Sequence, residues 1–194
     1  MQLVRRIEMK TIAILSIAGL AAAANAQSLS AHFGADVSQA ATGDTIHWTA
    51  TVSFTGFSDP TAYFGGFVGD FLASDNSLGT ADNFMTHMAG EGVPPTANGA
   101  DVNLNIFNSA LLGTDDQSNP YLIFEWDVTA GSGTGDLSYS DSGVWSMFAD
   151  DGIFSLPIEM TANVTSDVVG INVPAPGALA LLGLGGLTAT RRRR

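Results

Sequence analysis

The side chains of this 194-residue chain that could bind or react are carboxylates, histidines and aromatic rings; with no cysteine, it has no thiol for nucleophilic attack, metal binding or disulfide formation. Asp136, Asp141, Asp150 and Asp151, with Asp115 and Asp116, stand in stretches rich in glycine and serine. A hard cation such as Ca2+ takes about six to eight carboxylate and carbonyl oxygens at flexible distance, which loops of this kind supply. None of the six follows the EF-hand spacing D-x-D-x-D-G with a glutamate in twelfth place. Turns also favour aspartate without any metal, because its side chain caps nearby backbone amides. Ca2+ is therefore the cofactor these residues could hold, beside a reading in which they only shape turns.

The catalytic options are poorer. His32, His47 and His87 make no HExxH or other metal-ligand pattern, and no G-x-S-x-G elbow is present. Glycoside hydrolysis needs two carboxylates. Of Glu91, Glu125 and Glu159, only Glu125, beside Trp126, has a suitable setting, and the sequence marks out no partner for it. The chain is not expected to be an enzyme. Tyr63, Phe64, Phe67, Tyr139 and Trp145 could form a platform that stacks on an extracellular polysaccharide, but the same rings suit a hydrophobic core. Thr49, Thr51 and Thr55 share one strand face, as an ordinary solvent face would, and Asn163-Val164-Thr165 has the form of a glycosylation acceptor.

Charge narrows the classes further. All seven basic residues lie before residue 11 or after residue 190, and 18 of the 19 acidic residues lie between Gln27 and Thr190, only Glu8 falling outside. The formal charge of that stretch is thus −18. A body without one fixed cation cannot neutralise phosphates, which argues against nucleic-acid binding. It also lacks the Arg and Lys clamps of phosphoryl-transfer sites. Repulsion among its carboxylates must be relieved by salt, divalent ions or distance.

The elements that would position these residues read as short strands. Residues 28–37 form a modest first strand, and after Gly43-Asp44 residues 46–55 alternate strictly: Ile46, Trp48, Ala50, Val52 and Phe54 on one face, His47, Thr49, Thr51, Ser53 and Thr55 on the other. Period two over ten residues means one buried and one wet face. Residues 63–72 are aromatic and glycine-rich, with Gly65, Gly66 and Gly69 suggesting a bulge or close backbone approach. Residues 73–101 read as a long loop with one helical turn near 82–88. Further strands are expected at 102–107, 121–129, 136–140, 144–149, 153–164 and 167–173, making eight or nine in all. In the second strong strand, Leu122, Phe124, Trp126 and Val128 oppose Ile123, Glu125 and Asp127. The predicted core is Trp48, Val52, Phe54, Phe67, Ile106, Leu122, Phe124, Trp126, Trp145, Phe148 and Ile158. The fold class is mainly β, an antiparallel β-sandwich or jelly roll, flanked by an N-terminal signal helix and a short C-terminal hydrophobic helix.

Both ends read as addresses. Arg5, Arg6 and Lys10, an apolar run over 11–20 and Ala24-Asn25-Ala26 make a signal peptide, cut by signal peptidase between Ala26 and Gln27. Met9-Lys10 begins a compact signal by itself, so a start at Met9 is a second reading. At the other end Val173, Pro174, Ala175, Pro176 and Gly177 precede an apolar run over 178–189 and four arginines, Arg191 to Arg194. Proline fixes φ and removes a donor, which makes an extended entry. A helix of about 13 residues is only about 20 Å long, short of a ~30 Å hydrocarbon core, so it suits transient membrane contact. Terminal arginines stay on the cytoplasmic side.

This order of parts resembles the PEP-CTERM sorting signal of bacteria that export surface and matrix proteins. In that family a Val-Pro-Glu-Pro-like motif precedes a hydrophobic helix and a basic cluster. Val173, Pro174, Pro176 and Gly177 match, while Ala175 stands where the family usually has Glu. The resemblance covers about the last 22 residues, and it implies an exosortase-type membrane enzyme that cuts near the motif. Such tails are also called an ice-binding protein C-terminal region, a name silent about the preceding domain. The chain accordingly divides into a signal peptide (1–26), a β-sandwich domain (27–172) and a sorting tail (173–194). The expected product is a cell-surface or extracellular-matrix protein with a structural or adhesive role, or else a carbohydrate-binding module.

Overall fold

The computed structural model describes residues 27–57, 62–108, 119–148 and 157–172. Its strands in chain order are β1 (Ser28–Ala35), β2 (Gln39–Ala41), β3 (Thr45–Thr55), β4 (Tyr63–Ala73), β5 (Gly79–Thr86), β6 (Gly90–Asn98), β7 (Asp101–Phe107), β8 (Tyr121–Ala130), β9 (Gly135–Leu137), β10 (Tyr139–Phe148), β11 (Pro157–Met160), β12 (Ala162–Ser166) and β13 (Val169–Asn172). A single 3-10 turn, Asn76–Leu78, precedes β5. Two five-stranded sheets, ordered β12-β1-β3-β8-β5 and β11-β10-β4-β7-β6, form the sandwich, and a small sheet β2-β13-β9 stands beside them. Most ladders are antiparallel, as expected; β1 with β12 and β2 with β13 are parallel. The two predicted terminal helices lie outside the described residues. Among the described residues no helix is long and apolar enough to cross a membrane.

The alternation in β3 plays out as read. Ile46, Trp48, Ala50 and Val52 are buried, and the intervening His47, Thr49 and Thr51 face outward. Rings from both inner faces meet at Phe71 of β4. Its centroid lies 4.7 Å from Phe33 of β1 and 5.6 Å from Trp126 of β8, both on the opposite sheet, and 4.9 Å from Phe67 on its own strand. Each fully buried large side chain contributes about 1.5–3 kcal/mol relative to exposure, so this aromatic seam is what holds the two sheets together. Tyr139 closes one end of the seam. Its hydroxyl donates to Ala100 O at 2.7 Å and accepts from Trp126 Nε1 at 3.2 Å, so a buried polar atom is satisfied from both sides.

Several details depart from the sequence reading for identifiable reasons. In β8 the register against β3 shifts between Ala50 and Thr51, so Val52 pairs with Tyr121 and Thr51 with Leu122. In-register residues share a face, which puts Tyr121 inward and Leu122 on the Thr51 side, and Ile123 is fully buried at the irregularity. Ile158, expected inside, is exposed on the edge strand β11, and Phe148 and Phe54 are only half-buried. Residues 73–101 are not a loop. They hold β5 and β6, and the predicted helical turn is the irregular end of β5, where Asn83 takes φ 50°. β6 is concealed in the sequence by Pro94 and Pro95, which sit where its ladder with β7 skips from Val93 to Thr96. An edge strand tolerates such prolines because it has no outer partner to donate to. The predicted single strand 153–164 is divided between the edges of the two sheets, as β11 and β12.

The glycines of β4 act as their spacing suggests. A Cβ on Gly66 would come 2.5 Å from Ile106 O, and one on Gly69 would meet Gly143 Cα at 2.5 Å. Gly65 occupies the bulge opposite the Ser146/Met147 shift of β10.

Candidate functional site

Of the aspartates singled out for Ca2+, Asp115, Asp116, Asp150 and Asp151 lie outside the described residues. The structure does not bring the other two together in one sheet. Asp136 is exposed on β9, opposite Gly170 of β13. Asp141 lies on β10 opposite Phe71, where its Oδ2 accepts a short hydrogen bond from Trp145 Nε1. Among the described residues no group of three or more His, Asp or Glu side chains is placed to hold a metal ion. Gln27 is exposed just before β1; Ala24 and Ala26, and the tail motif Val173, Pro174, Ala175, Pro176 and Gly177, lie outside the described residues.

The aromatic platform is corrected outright. Tyr63, Phe64, Phe67, Tyr139 and Trp145 are all buried, none above 7% exposure. Phe67 and Trp145 pack at 4.4 Å between centroids. These rings were claimed by the core, where large apolar area is worth most, and they present no face to a sugar.

Two outer surfaces remain. On the first sheet, period two places His47 of β3 and Glu125 and Asp127 of β8 on the same wet face, in adjacent strands, with His47 and Asp127 directly paired. His47 Nδ1 bonds Asp127 Oδ1 at 2.8 Å, and its Nε2 stands 3.6 Å from Glu125 Oε1. The other Glu125 oxygen bonds His87 Nε2 at 2.9 Å, and Asn83 Nδ2 donates to Asp127 Oδ2 at 2.8 Å. The two carboxylate side chains are each 20% exposed. The hydrogen bond to Asp127 lifts the His47 pKa above its ordinary 6.5; partial burial opposes it and the Asp127 and Glu125 charges assist. The His87 hydrogen bond holds Glu125 below its ordinary 4.5 in spite of burial. For Asp127 burial pushes upward, but the hydrogen bonds from His47 and Asn83 and the His47 charge outweigh it and leave the group low. His32 joins the pattern at the sheet's far side, with Nε2 3.8 Å from Asp167. Every histidine of the body therefore sits against a carboxylate. The sequence located His47, Glu125 and Asp127 on wet faces but not beside one another. The available signal was the absence of any other cation in the body, which left these carboxylates no other positive partner.

Among the described residues, no nucleophile and oxyanion donor converge with a general base at this cluster. The hydroxyl of Thr49, next outward residue on β3, donates to Gly34 O and not toward His47.

The second sheet's outer face differs in character. Val144 of β10 pairs with Val68 of β4, which pairs with Asn105 of β7, which pairs with Val93 of β6. This row crosses four strands with Val144 46%, Val68 53% and Val93 58% exposed. Phe107 and Leu72 are exposed nearby. Beside the row a cleft of about 270 Å3 is lined by Asp70, Leu72, Thr96, Asn98, Asp101 and Asn103. Asn103 Nδ2 donates to Asp70 Oδ1 at 2.7 Å, and Asp101 accepts from Ala73 N and Asn76 Nδ2. The face thus offers an apolar strip with a carboxylate-lined flank.

No protein-family model matches the sequence, and no curated protein matches it. Solved structures do. The seventh ScaB type I cohesin from Pseudobacteroides cellulosolvens is 15% identical with a TM-score of 0.50, the match covering 76% of this chain and 95% of that one. A cohesin module from a Clostridium perfringens family 33 glycoside hydrolase is 11% identical with a TM-score of 0.51, covering 76% and 100%. At such identities the likeness is one of fold: this chain is a mainly β, sandwich-like protein of cohesin-like architecture.

Proposed function

We propose that this chain is an exported, non-catalytic module that holds a protein partner outside the cell through the outer face of its second sheet. The observation that carries the reading is the Val144-Val68-Asn105-Val93 row, with Phe107 and Leu72 beside it. Contiguous exposed apolar residues rimmed by polar ones mark interaction sites. Its carboxylate-lined flank, Asp70 and Asp101, selects a partner that sets lysine or arginine beside an apolar patch. An acidic domain without Lys or Arg has no cations of its own to pair with those carboxylates. A cohesin module from a C. perfringens family 33 glycoside hydrolase has a similar fold.

Delivery follows from the ends of the sequence. The signal peptide would be removed before Gln27, and the PEP-CTERM-like tail would pause in the membrane and be cut by an exosortase-type enzyme near residues 173–177. The mature product is displayed on the surface or released into the matrix, with a structural or adhesive role. The carbohydrate-binding alternative loses its ring platform, since those rings are buried.

The test starts with the mature protein immobilised and exposed to the extracellular fraction of its own host. A captured protein is identified, purified and titrated. Saturable binding that Val68→Asp with Val144→Asp abolishes, and that changes at Thr49 and Thr51 on the opposite sheet leave intact, supports the reading. Binding insensitive to the valine changes, or a glycan array that binds where no protein does, overturns it. Mass spectrometry of the mature product tests both cleavages.

A further inference from the structure

The connection from β5 to β6 leaves the edge of the first sheet and enters the edge of the second, so it is one of the places where the chain ties the two sheets together. It is held at one residue. His87 N donates to Ile123 O at 3.0 Å, His87 O accepts from Tyr121 Oη at 2.6 Å, and His87 Nε2 bonds Glu125 Oε2 at 2.9 Å. All three partners lie on β8. The next residues are fixed in turn, Met88 N by Thr86 Oγ1 and Ala89 N by the buried Asn108 Oδ1.

Glu125 does not serve His87 alone. Its other oxygen faces His47 Nε2 at 3.6 Å. We propose that His47 and His87, closing on Glu125 from its two oxygens, form an acid-tightened clasp that fastens the β5-to-β6 crossover to β8. With neutral imidazoles only His87 is hydrogen-bonded to Glu125, because the one N–H of a neutral His47 is used on Asp127 and its Nε2 faces Glu125 at 3.6 Å without a proton to donate. Protonation of His47 puts a proton and a positive charge on the nitrogen that faces the second Glu125 oxygen, so the carboxylate is then held from both sides.

The groups around the clasp set its sign. On β8, Asp127 and Glu125 face His47. On β5, Asp82 is in register with Asp127, and Asn83 donates to it. From the turn after β1, Asp36 accepts from the His47 backbone amide. No Lys or Arg exists in the body to compete for these carboxylates. A histidine held above its ordinary value stabilises the fold fully below pH 6.5 and ceases to do so as pH rises through its folded value. A carboxylate held below its ordinary value stabilises above that value and is lost as pH falls through its folded one. The clasp is thus strongest between about pH 4.5 and 6.5, where His47 and Glu125 are both charged, and relaxes as pH rises through the folded value of His47.

The experiment compares the full chain with its Glu125→Gln variant at pH 8 and pH 6. Wild type is expected to gain several degrees of melting temperature on acidification beyond what the variant gains, with amide exchange at His87 and Ala89 slowing several-fold after correction for intrinsic rates. Equal gains in the two proteins overturn the proposal, because general relief of carboxylate repulsion would then explain the whole effect. Should Glu125→Gln not fold, an NMR titration of wild type decides. His47 titrating above 6.5, together with acid-slowed exchange at His87, supports the clasp. Titration at or below that value, or pH-independent exchange, overturns it.

Discussion

Gly69 of β4 and Gly143 of β10 face one another across their ladder so closely that a Cβ on Gly69 would stand 2.5 Å from Gly143 Cα. Neither strand can carry a side chain at this crossing, and the φ of Gly69, 151°, also disfavours one. The close approach seats the centre of β10 against β4, with Gly143 directly over the Phe67 ring.

Gly69→Ala must therefore separate two backbones in the middle of the second sheet. We expect a loss of about 2–4 kcal/mol, combining overpacking and backbone strain, read as a lowered midpoint in urea. Gly43→Ala is the useful comparison. It is strained at φ 89° but meets nothing within 4 Å, so it should cost less.

Tyr139→Phe keeps the ring and removes one oxygen. Ala100 O and Trp126 Nε1 would both be left buried without that partner. Each abandoned group costs about 1–3 kcal/mol, so the variant should melt well below wild type while keeping the aromatic near-UV CD band. A change of under about 0.5 kcal/mol would mean that water or a rearranged neighbour replaces the hydroxyl.

The ionic-strength response follows from 18 carboxylates and no fixed cation in the body. Raising salt from about 0.01 to 0.15 M shortens the Debye length from roughly 30 to 8 Å, which damps repulsion across the whole surface. Melting temperature should climb over that range and level off above it. Scans in NaCl and in KCl should coincide if screening alone is responsible.

Val68→Thr with Val144→Thr changes the polarity of the second sheet's outer face while keeping β-branched shapes. Both side chains are about half exposed, so stability should stay within about 0.5 kcal/mol of wild type. Partner binding should fall at least tenfold in Kd, which is a 1.4 kcal/mol change, and surface plasmon resonance would separate the two effects.

What could be read in the sequence was whatever depends on neighbours along the chain. The alternation in 46–55 fixed which face of β3 is buried, and the three glycines of 65–69 marked close backbone approach before any partner strand was known. What escaped depends on register. One irregularity opposite Ala50 and Thr51 reversed the expected sides of Leu122 and Ile123, and no local pattern announces it. The same holds for the His47-Glu125-His87 cluster, whose members come from β3, β8 and the β5-to-β6 connection. Side-chain type also misled. Tyr63, Phe64 and Trp145 are equally suited to a sugar and to a core, and only three-dimensional packing assigned them to the core. β6 was missed because prolines argue against strands except at an unpartnered edge, and edge position is a property of the sheet.

That edge matters wherever copies of the protein are crowded together. A strand border with free amides invites a second copy to zip on, the first step toward fibres. Pro94 and Pro95 carry no amide N–H, and the ladder of β6 with β7 is interrupted between Val93 and Thr96 where they stand. That break disfavours the zipping of a second copy onto the second sheet at this border. Any assembly there is left to side chains on faces, which can be specific and reversible.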